Sequence, residues 1–244
     1  MKGRTLFVGL VALSAILAST GARYQARRRA ELTRQLGSAL SLDNKPRAIQ
    51  LLKLGANPNA KGHDGIPLVF GALDIESPAL LKAFITAGVD VNTTSTEEGR
   101  VRTLLSSVGH YAEVLYPAQI EEMKLLLDAG ANPNLGPESV IQANMGGCGH
   151  CGACWSNPRQ VALLLKHGAK LRKGDTAAIL EAALYDDVGE EKDSGTAMIR
   201  LWLKLPVPVK ERRPAIANTI HELARYNSAG HNNKTIALLK NEMR

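Results

Sequence analysis

Between Met145 and Trp155 the sequence reads Met-Gly-Gly-Cys-Gly-His-Cys-Gly-Ala-Cys-Trp and holds all three cysteines of the chain. Cys148 and Cys151 stand at Cys-x-x-Cys spacing, as do Cys151 and Cys154, with His150 between the first pair. Thiolates and an imidazole are ligands that Zn²⁺ takes, and a closed site needs four of them. Cys148, His150, Cys151 and Cys154 are therefore the candidate metal ligands. His150 and Cys151 are adjacent, which makes both on one ion awkward, so His110 from an earlier loop could complete the set. An odd, clustered set of thiols is not the spread framework of a disulfide-stapled domain. A redox-responsive dithiol and an inert loop stay open beside the zinc reading.

Other candidate chemistry is thinner. Cys148-Gly149-His150-Cys151 resembles the active-site motif of protein disulfide isomerases, but the resemblance covers four residues and lacks the βαβ context, so no activity is carried over. His221-Glu222-Leu223-Ala224-Arg225 has arginine where a zinc protease helix needs its second histidine. No phosphate-binding Gly-x-x-x-x-Gly-Lys loop and no Gly-x-Ser-x-Gly elbow occurs. Asp186-Asp187 and Glu190-Glu191 read as solvated charge, and His167 as a helix-end residue with a favourable place near the helix dipole. The expectation is a protein that is not an enzyme.

The elements that must carry such loops are helical. Hydrophobic residues make up 45% of 244 and aromatics only 4%, so the core is built from Leu, Ala, Val and Ile, which suits thin helical layers. One pattern recurs. Leu51-Leu52-Lys53-Leu54-Gly55-Ala56-Asn57-Pro58-Asn59 returns as Phe84 to Asn92, as Leu125 to Asn134, and in worn form as Leu163 to Leu171. Each copy is an apolar helix end, a glycine suited to positive φ, and a polar tight turn. Gly55, Gly88, Gly130 and Gly168 lie at intervals of 33, 42 and 38 residues. The first interval and the closing sequence make the chain similar to ankyrin repeat proteins, whose period is about 33. Asp64-Gly65-Ile66-Pro67-Leu68-Val69 resembles the family's opening turn, with Pro67 suited to the first helical position.

The resemblance implies an all-α ankyrin-repeat helical solenoid over residues 30–205. Its helix pairs fall at a segment before Asp43 with Pro46–Leu54, Pro67–Leu73 with Pro78–Ala87, Arg102–Val108 with Ala118–Ala129, Glu138–Asn144 with Pro158–His167, and Thr176–Leu184 with Thr196–Leu205. Stacked neighbours supply the core that one pair cannot bury, through a ridge of Leu51, Leu52, Leu81, Ile85, Leu125, Leu126, Leu164 and Leu165. Pro206 and Pro208 suggest that regular stacking breaks before a C-terminal cap over residues 206–244, with helices at Pro214–Tyr226 and Asn233–Met243. Insertions at 109–117, 146–157 and 186–194 all fall between the helices of a pair, where a solenoid often binds.

Residues 1–29 form the remaining segment. Thr5 to Gly21 carries no charge and rises roughly 25 Å as a helix, near the short end of a membrane crossing. The arginines that follow, Arg23, Arg27, Arg28 and Arg29, favour an uncleaved single transmembrane helix with a cytoplasmic body over a cleaved signal and a periplasmic or secreted one. They would also meet anionic lipid headgroups, at ~1 kcal/mol each. The net charge of +7 owes much to this cluster and is weak evidence for nucleic acid, so none is expected. Two functions remain: a membrane-anchored adaptor binding an unidentified protein partner, and a metal- or redox-responsive protein acting through the cysteine loop.

Overall fold

The computed structural model describes residues 2–97, 99–108, 117–145, 158–182, 194–225 and 232–243, with backbone alone for 2–20, 117, 145, 181–182, 194–195 and 209. The chain divides into two compact units, residues 1–75 with 79–90, and residues 76–78 with 91–244. In the first, α1 (Lys2–Ser41) packs on α2 (Lys45–Lys53) and α3 (Leu68–Asp74), and α4 (Pro78–Thr86) follows. Asn44 caps α2, its Oδ1 accepting from the Arg47 N–H at 3.1 Å, and so satisfies one of the donors a helix start leaves open. Leu36, Leu51, Leu80, Leu81 and Phe84 are fully buried in this unit. Pro67 sits one place before its expected position, as the N-cap of α3 with ψ 132°.

The second unit begins with a hairpin of β1 (Thr94–Glu97) and β2 (Arg100–Thr103). It continues through α5 (Leu104–Ser107), α6 (Pro117–Asp128), α7 (Val140–Met145), α8 (Pro158–Lys166), α9 (Asp175–Ala182), α10 (Ser194–Leu203), α11 (Val209–Arg225) and α12 (Asn233–Glu242). The helices form two rows. In one, α5 packs on α7, α7 on α9 and α9 on α11; in the other, α6 packs on α8, α8 on α10 and α10 on α12. Leu105, Leu126, Ile141, Leu164, Ile179 and Trp202 are buried between and within them. Each such side chain contributes about 1.5–3 kcal/mol of transfer free energy, which no isolated helix pair of this length could collect.

Four glycines set the frame. Gly55, Gly88, Gly130 and Gly168 have φ of 99°, 85°, 92° and 85°, the left-handed conformation that ends a helix at least cost in glycine. The same two backbone bonds recur at each. Gly55 N–H donates to Leu52 O and Ala56 N–H to Leu51 O; the pairs at Gly88, Gly130 and Gly168 end on Ile85 and Phe84, Leu127 and Leu126, Leu165 and Leu164. This is the Schellman closure, and its anchor residue four places before the glycine (Leu51, Phe84, Leu126 and Leu164) is fully buried every time. Of the expected ridge, Leu51, Leu52, Leu81, Leu126 and Leu164 are buried, whereas Ile85, Leu125 and Leu165 are half-buried.

An asparagine four residues after the glycine binds a later turn within its own unit. In the first unit, Asn59 Nδ2 donates to Gly88 O at 3.0 Å while its Oδ1 accepts from Asp90 N–H at 2.6 Å. In the second unit, Asn92 does the same to Gly130 O and Asn132 N–H, at 3.3 and 2.8 Å. Asn134 does so to Gly168 O and Lys170 N–H, at 2.9 and 2.8 Å. A side-chain amide offers a donor and an acceptor side by side on one neutral planar head, which suits asparagine to all three links.

The expected all-α solenoid behind a transmembrane helix is corrected at three points. First, among the described residues no helix is long and apolar enough to cross a membrane. The uncharged run is only part of α1, a single 40-residue helix, and its ~25 Å rise falls short of a ~30 Å hydrocarbon core. From residue 21 to 31 the helix is exposed on every side and carries Arg23, Arg27, Arg28 and Arg29. Second, Arg102 and Thr103 belong to a strand, not to a helix. Third, Pro206 and Pro208 interrupt the turn but not the stacking, because α11 and α12 continue both rows. Pro214 lies inside α11 rather than at its start.

Candidate functional site

The candidate ligands Cys148, His150, Cys151 and Cys154 lie outside the described residues, as does His110. Most of the three inserts, 109–116, 146–157 and 186–193, lies outside them too. Among the described residues no group of three or more His, Cys, Asp or Glu side chains is placed to hold a metal ion.

What the described residues do build is a turn edge on the second unit. It includes the β1–β2 hairpin, paired antiparallel with Thr94 opposite Thr103 and Glu97 opposite Arg100. Gly99 turns the chain with φ 79°. Ser95 and Thr103 are buried, while Thr94, Thr96 and Arg100 are exposed. Arg102 Nη1 donates to Glu97 Oε2 at 2.7 Å, with only 14% of the arginine side chain exposed. The hairpin is locked to the helix behind it, because Thr103 Oγ1 accepts from Ser106 N–H at 3.1 Å and Ser106 Oγ accepts from Thr103 N–H at 2.9 Å. These reciprocal bonds make a capping box for α5.

The edge continues through the turn after Gly130 and ends at the turn after Gly168. Arg172 stands four residues after Gly168, where the earlier copies have asparagine. It reaches backwards instead: Nη1 donates to the carbonyls of Gly136, Pro137 and Glu138 at 2.9–3.0 Å, and Nη2 to Asn134 O at 2.8 Å. A guanidinium with its fixed fork of donors suits such a ring of carbonyls. Asp175 closes the arrangement. It is fully buried, its Oδ2 accepts from Arg172 N–H at 2.7 Å, and its Oδ1 accepts from Gln142 Nε2 at 2.7 Å. The carboxylate sits in the first turn of α9, where the helix dipole favours negative charge.

In the other row, Lys124 Nζ donates to Asp128 Oδ2 at 2.6 Å near the end of α6. That hydrogen bond holds the Asp128 carboxyl below its usual range and the Lys124 ammonium above its own. His167 Nε2 lies 3.8 Å from Asp128 Oδ1, so this histidine is a helix-end residue against a carboxylate. In the first unit, Arg29 Nη2 reaches Asn57 Oδ1 at 3.3 Å and Thr33 Oγ1 accepts from Asn57 N–H at 2.8 Å. Asn57 follows its glycine by two residues, as Asp90, Asn132 and Lys170 follow theirs. Thr33 of α1 therefore takes the acceptor role that asparagine plays for the later turns.

Sequence reasoning missed the hairpin and the role of Arg172. Thr93-Thr94-Ser95-Thr96 is a threonine-rich run ahead of a glycine turn, and it was the available signal for the strand. Nothing local announces that Arg172 turns backwards. No protein-family model matches the chain, and no curated protein matches it.

Proposed function

We propose that the chain is a non-enzymatic repeat protein, similar to ankyrin repeat proteins, whose turn edge binds a protein partner. The observation that carries this reading is the repeated link made by Asn59 in the first unit and by Asn92 and Asn134 in the second, each holding a later glycine turn by one donor and one acceptor. Such links spend polar groups on holding a frame and leave the variable part to the residues that project from it. On the second unit these are Thr94, Thr96 and Arg100 of the hairpin. A pre-ordered edge loses little conformational freedom on binding, which is where rigid scaffolds gain affinity. A photocrosslinking residue at Thr96 is expected to capture a reproducible protein that Arg100→Glu releases. Equal capture from Lys240, on the other row of helices, would sink the reading.

A further inference from the structure

Residues 21–31 of α1, in the first unit, are exposed at every position. Arg23, Arg27, Arg28 and Arg29 bring four cations to this stretch, and its only acid is Glu31. Glu31 stands four positions after Arg27 and three after Arg28, the spacing at which helical ion pairs form. It is engaged on its other side. Arg34 Nε and Nη2 and Gln35 Nε2 all donate to it, at 3.0, 2.6 and 2.8 Å. Arg29 has its own contact, donating to Asn57 Oδ1 at 3.3 Å. Arg23, Arg27 and Arg28 have no hydrogen bond and no ion pair among the described residues.

The helix also aims two of these cations away from its own unit. Arg23 and Arg27 are four positions apart and share a face. The buried side of α1 is that of Leu36 and Leu40, roughly 140° round the helix from the Arg23–Arg27 face. A guanidinium with a planar fork of donors fits phosphate and carboxylate oxygens, so an anionic surface is the natural cover.

The preceding part of the same helix decides which class of anion that is. Thr5–Gly21 carries no charge, and a helix apolar on all sides calls for apolar surroundings. A nucleic acid or an acidic peptide offers anions without an apolar layer, whereas a lipid surface offers both in adjoining layers. Lys2 and Arg4 precede the run. A helix lying along such a surface keeps cations at both ends among the headgroups, with the uncharged run between them about 5–10 Å deep at the acyl boundary. Tyr24, 66% exposed beside the arginines, is the amphipathic ring that this interface favours.

We propose that α1 docks along the surface of an anionic lipid layer, without crossing it. Arg23, Arg27 and Arg28 meet the headgroup phosphates and carboxylates, and Thr5–Gly21 lies at the acyl boundary. This surface belongs to the first unit and is independent of the protein-binding edge proposed for the second.

The test is co-sedimentation of the full chain with vesicles of phosphatidylcholine alone or with about 30% phosphatidylserine. Each arginine near an anionic surface gives roughly fivefold in partition. Arg23→Gln with Arg27→Gln and Arg28→Gln should therefore weaken binding to the anionic vesicles roughly a hundredfold and leave binding to the neutral ones unchanged. The three positions are exposed, so the melting temperature should hold. Lys82→Gln with Lys170→Gln and Lys240→Gln removes as many exposed cations elsewhere and should change binding less than about twofold. Equal losses in the two triple variants would overturn the assignment to α1, because net charge alone would then carry the binding. Equal binding of the parent to neutral and anionic vesicles overturns the arginine contacts. Duplex DNA that strips the chain from anionic vesicles at equal phosphate concentration assigns the arginines to polyanions in general and overturns the lipid surface. A chain that stays with the vesicles through an alkaline carbonate wash overturns the surface position, since a helix at the boundary is released by it.

Discussion

Asn134 and Arg172 hold the same place in successive copies of one turn, four residues after a left-handed glycine, yet they face opposite ways. Asn134 reaches forward to Gly168 O and Lys170 N–H. Arg172 reaches back over the turn that Asn134 begins and gathers four of its carbonyls. The difference follows from what lies ahead. After Asn134 there is another glycine turn with a free carbonyl and a free N–H, which an amide can serve together. After Arg172 there is the start of α9, and α10 ends in the Pro206–Pro208 segment without a glycine closure. An asparagine at 172 would have no turn to hold. A donor-only side chain pointed backwards instead completes the preceding turn through four of its carbonyls.

The largest effect should come from what the two copies share. Leu126→Ala and Leu164→Ala each remove the fully buried anchor of a Schellman closure, and each should cost about 2–5 kcal/mol in denaturant unfolding. A loss under ~1 kcal/mol for Leu164→Ala, with a large loss for Leu126→Ala, would show that the second turn is not anchored as the first is, and the comparison would fail at its base. Next comes Arg172→Ala. Its donors are charged and its four acceptors belong to one turn, so about 2–3 kcal/mol is expected. Arg172→Lys should recover little of it, because a single ammonium cannot reproduce the planar fork. Full rescue by lysine would mean that charge, and not geometry, terminates the linkage.

Asn134→Ala should cost less, about 1–2 kcal/mol, since it breaks two neutral bonds at a part-exposed site. Its signature is local. The Lys170 amide, which donates to Asn134 Oδ1 at 2.8 Å, should exchange with solvent about tenfold faster, the factor that 1.4 kcal/mol gives. The amides of Gly168 and Ala169 donate within their own closure and should hold their protection. Uniform acceleration across the turn would show that Asn134 supports the fold as a whole and does not act as a link.

How much of this was legible depends on how local each interaction is. The glycines were readable because positive φ is a single-residue demand, and all four positions meet it. The buried anchors were readable from leucine spacing, though Phe84 shows that the place matters and not the leucine. The links of Asn59, Asn92 and Asn134 span 29 to 40 residues, so the sequence displays the asparagines without their partners. Arg172 looked like wear in the fourth copy; its backward reach depends on what the following layer lacks. The hairpin was masked by the repeat itself, since a reading phased on helices assigned Arg102 to one. The transmembrane assignment failed for a related reason. Composition was read over Thr5–Gly21 alone, but the helix that contains it continues as one element to Ser41. The cysteine loop lies outside the described residues.

The smallest effect tests the other end of the run of copies, where α1 takes the place of a turn. Thr33 there holds Asn57 as asparagines hold the later turns, and the helical turn around Thr33 is tied by Glu31. Arg34 Nε and Nη2 donate to Glu31 at 3.0 and 2.6 Å, and Gln35 Nε2 donates at 2.8 Å. The hydrogen bond from Arg34, and then that from Gln35, lowers the Glu31 pKa from 4.5 to about 2. A carboxyl whose folded pKa is depressed contributes stability that is fully present above its unfolded pKa and disappears as pH falls through the folded one. The window here is therefore pH 4.5 down to about 2. The pair is fully exposed, so solvent screening keeps the contribution small. Glu31→Gln should leave the melting temperature near pH 7 only slightly lower and flatten its decline in that acid window. The Asp128–Lys124 pair contributes in the same direction, but it is common to both proteins and cancels in the difference. Identical slopes for parent and variant between pH 4.5 and 2 would show that α1 holds Asn57 without help from Glu31, and that the threonine alone stands in for the missing asparagine.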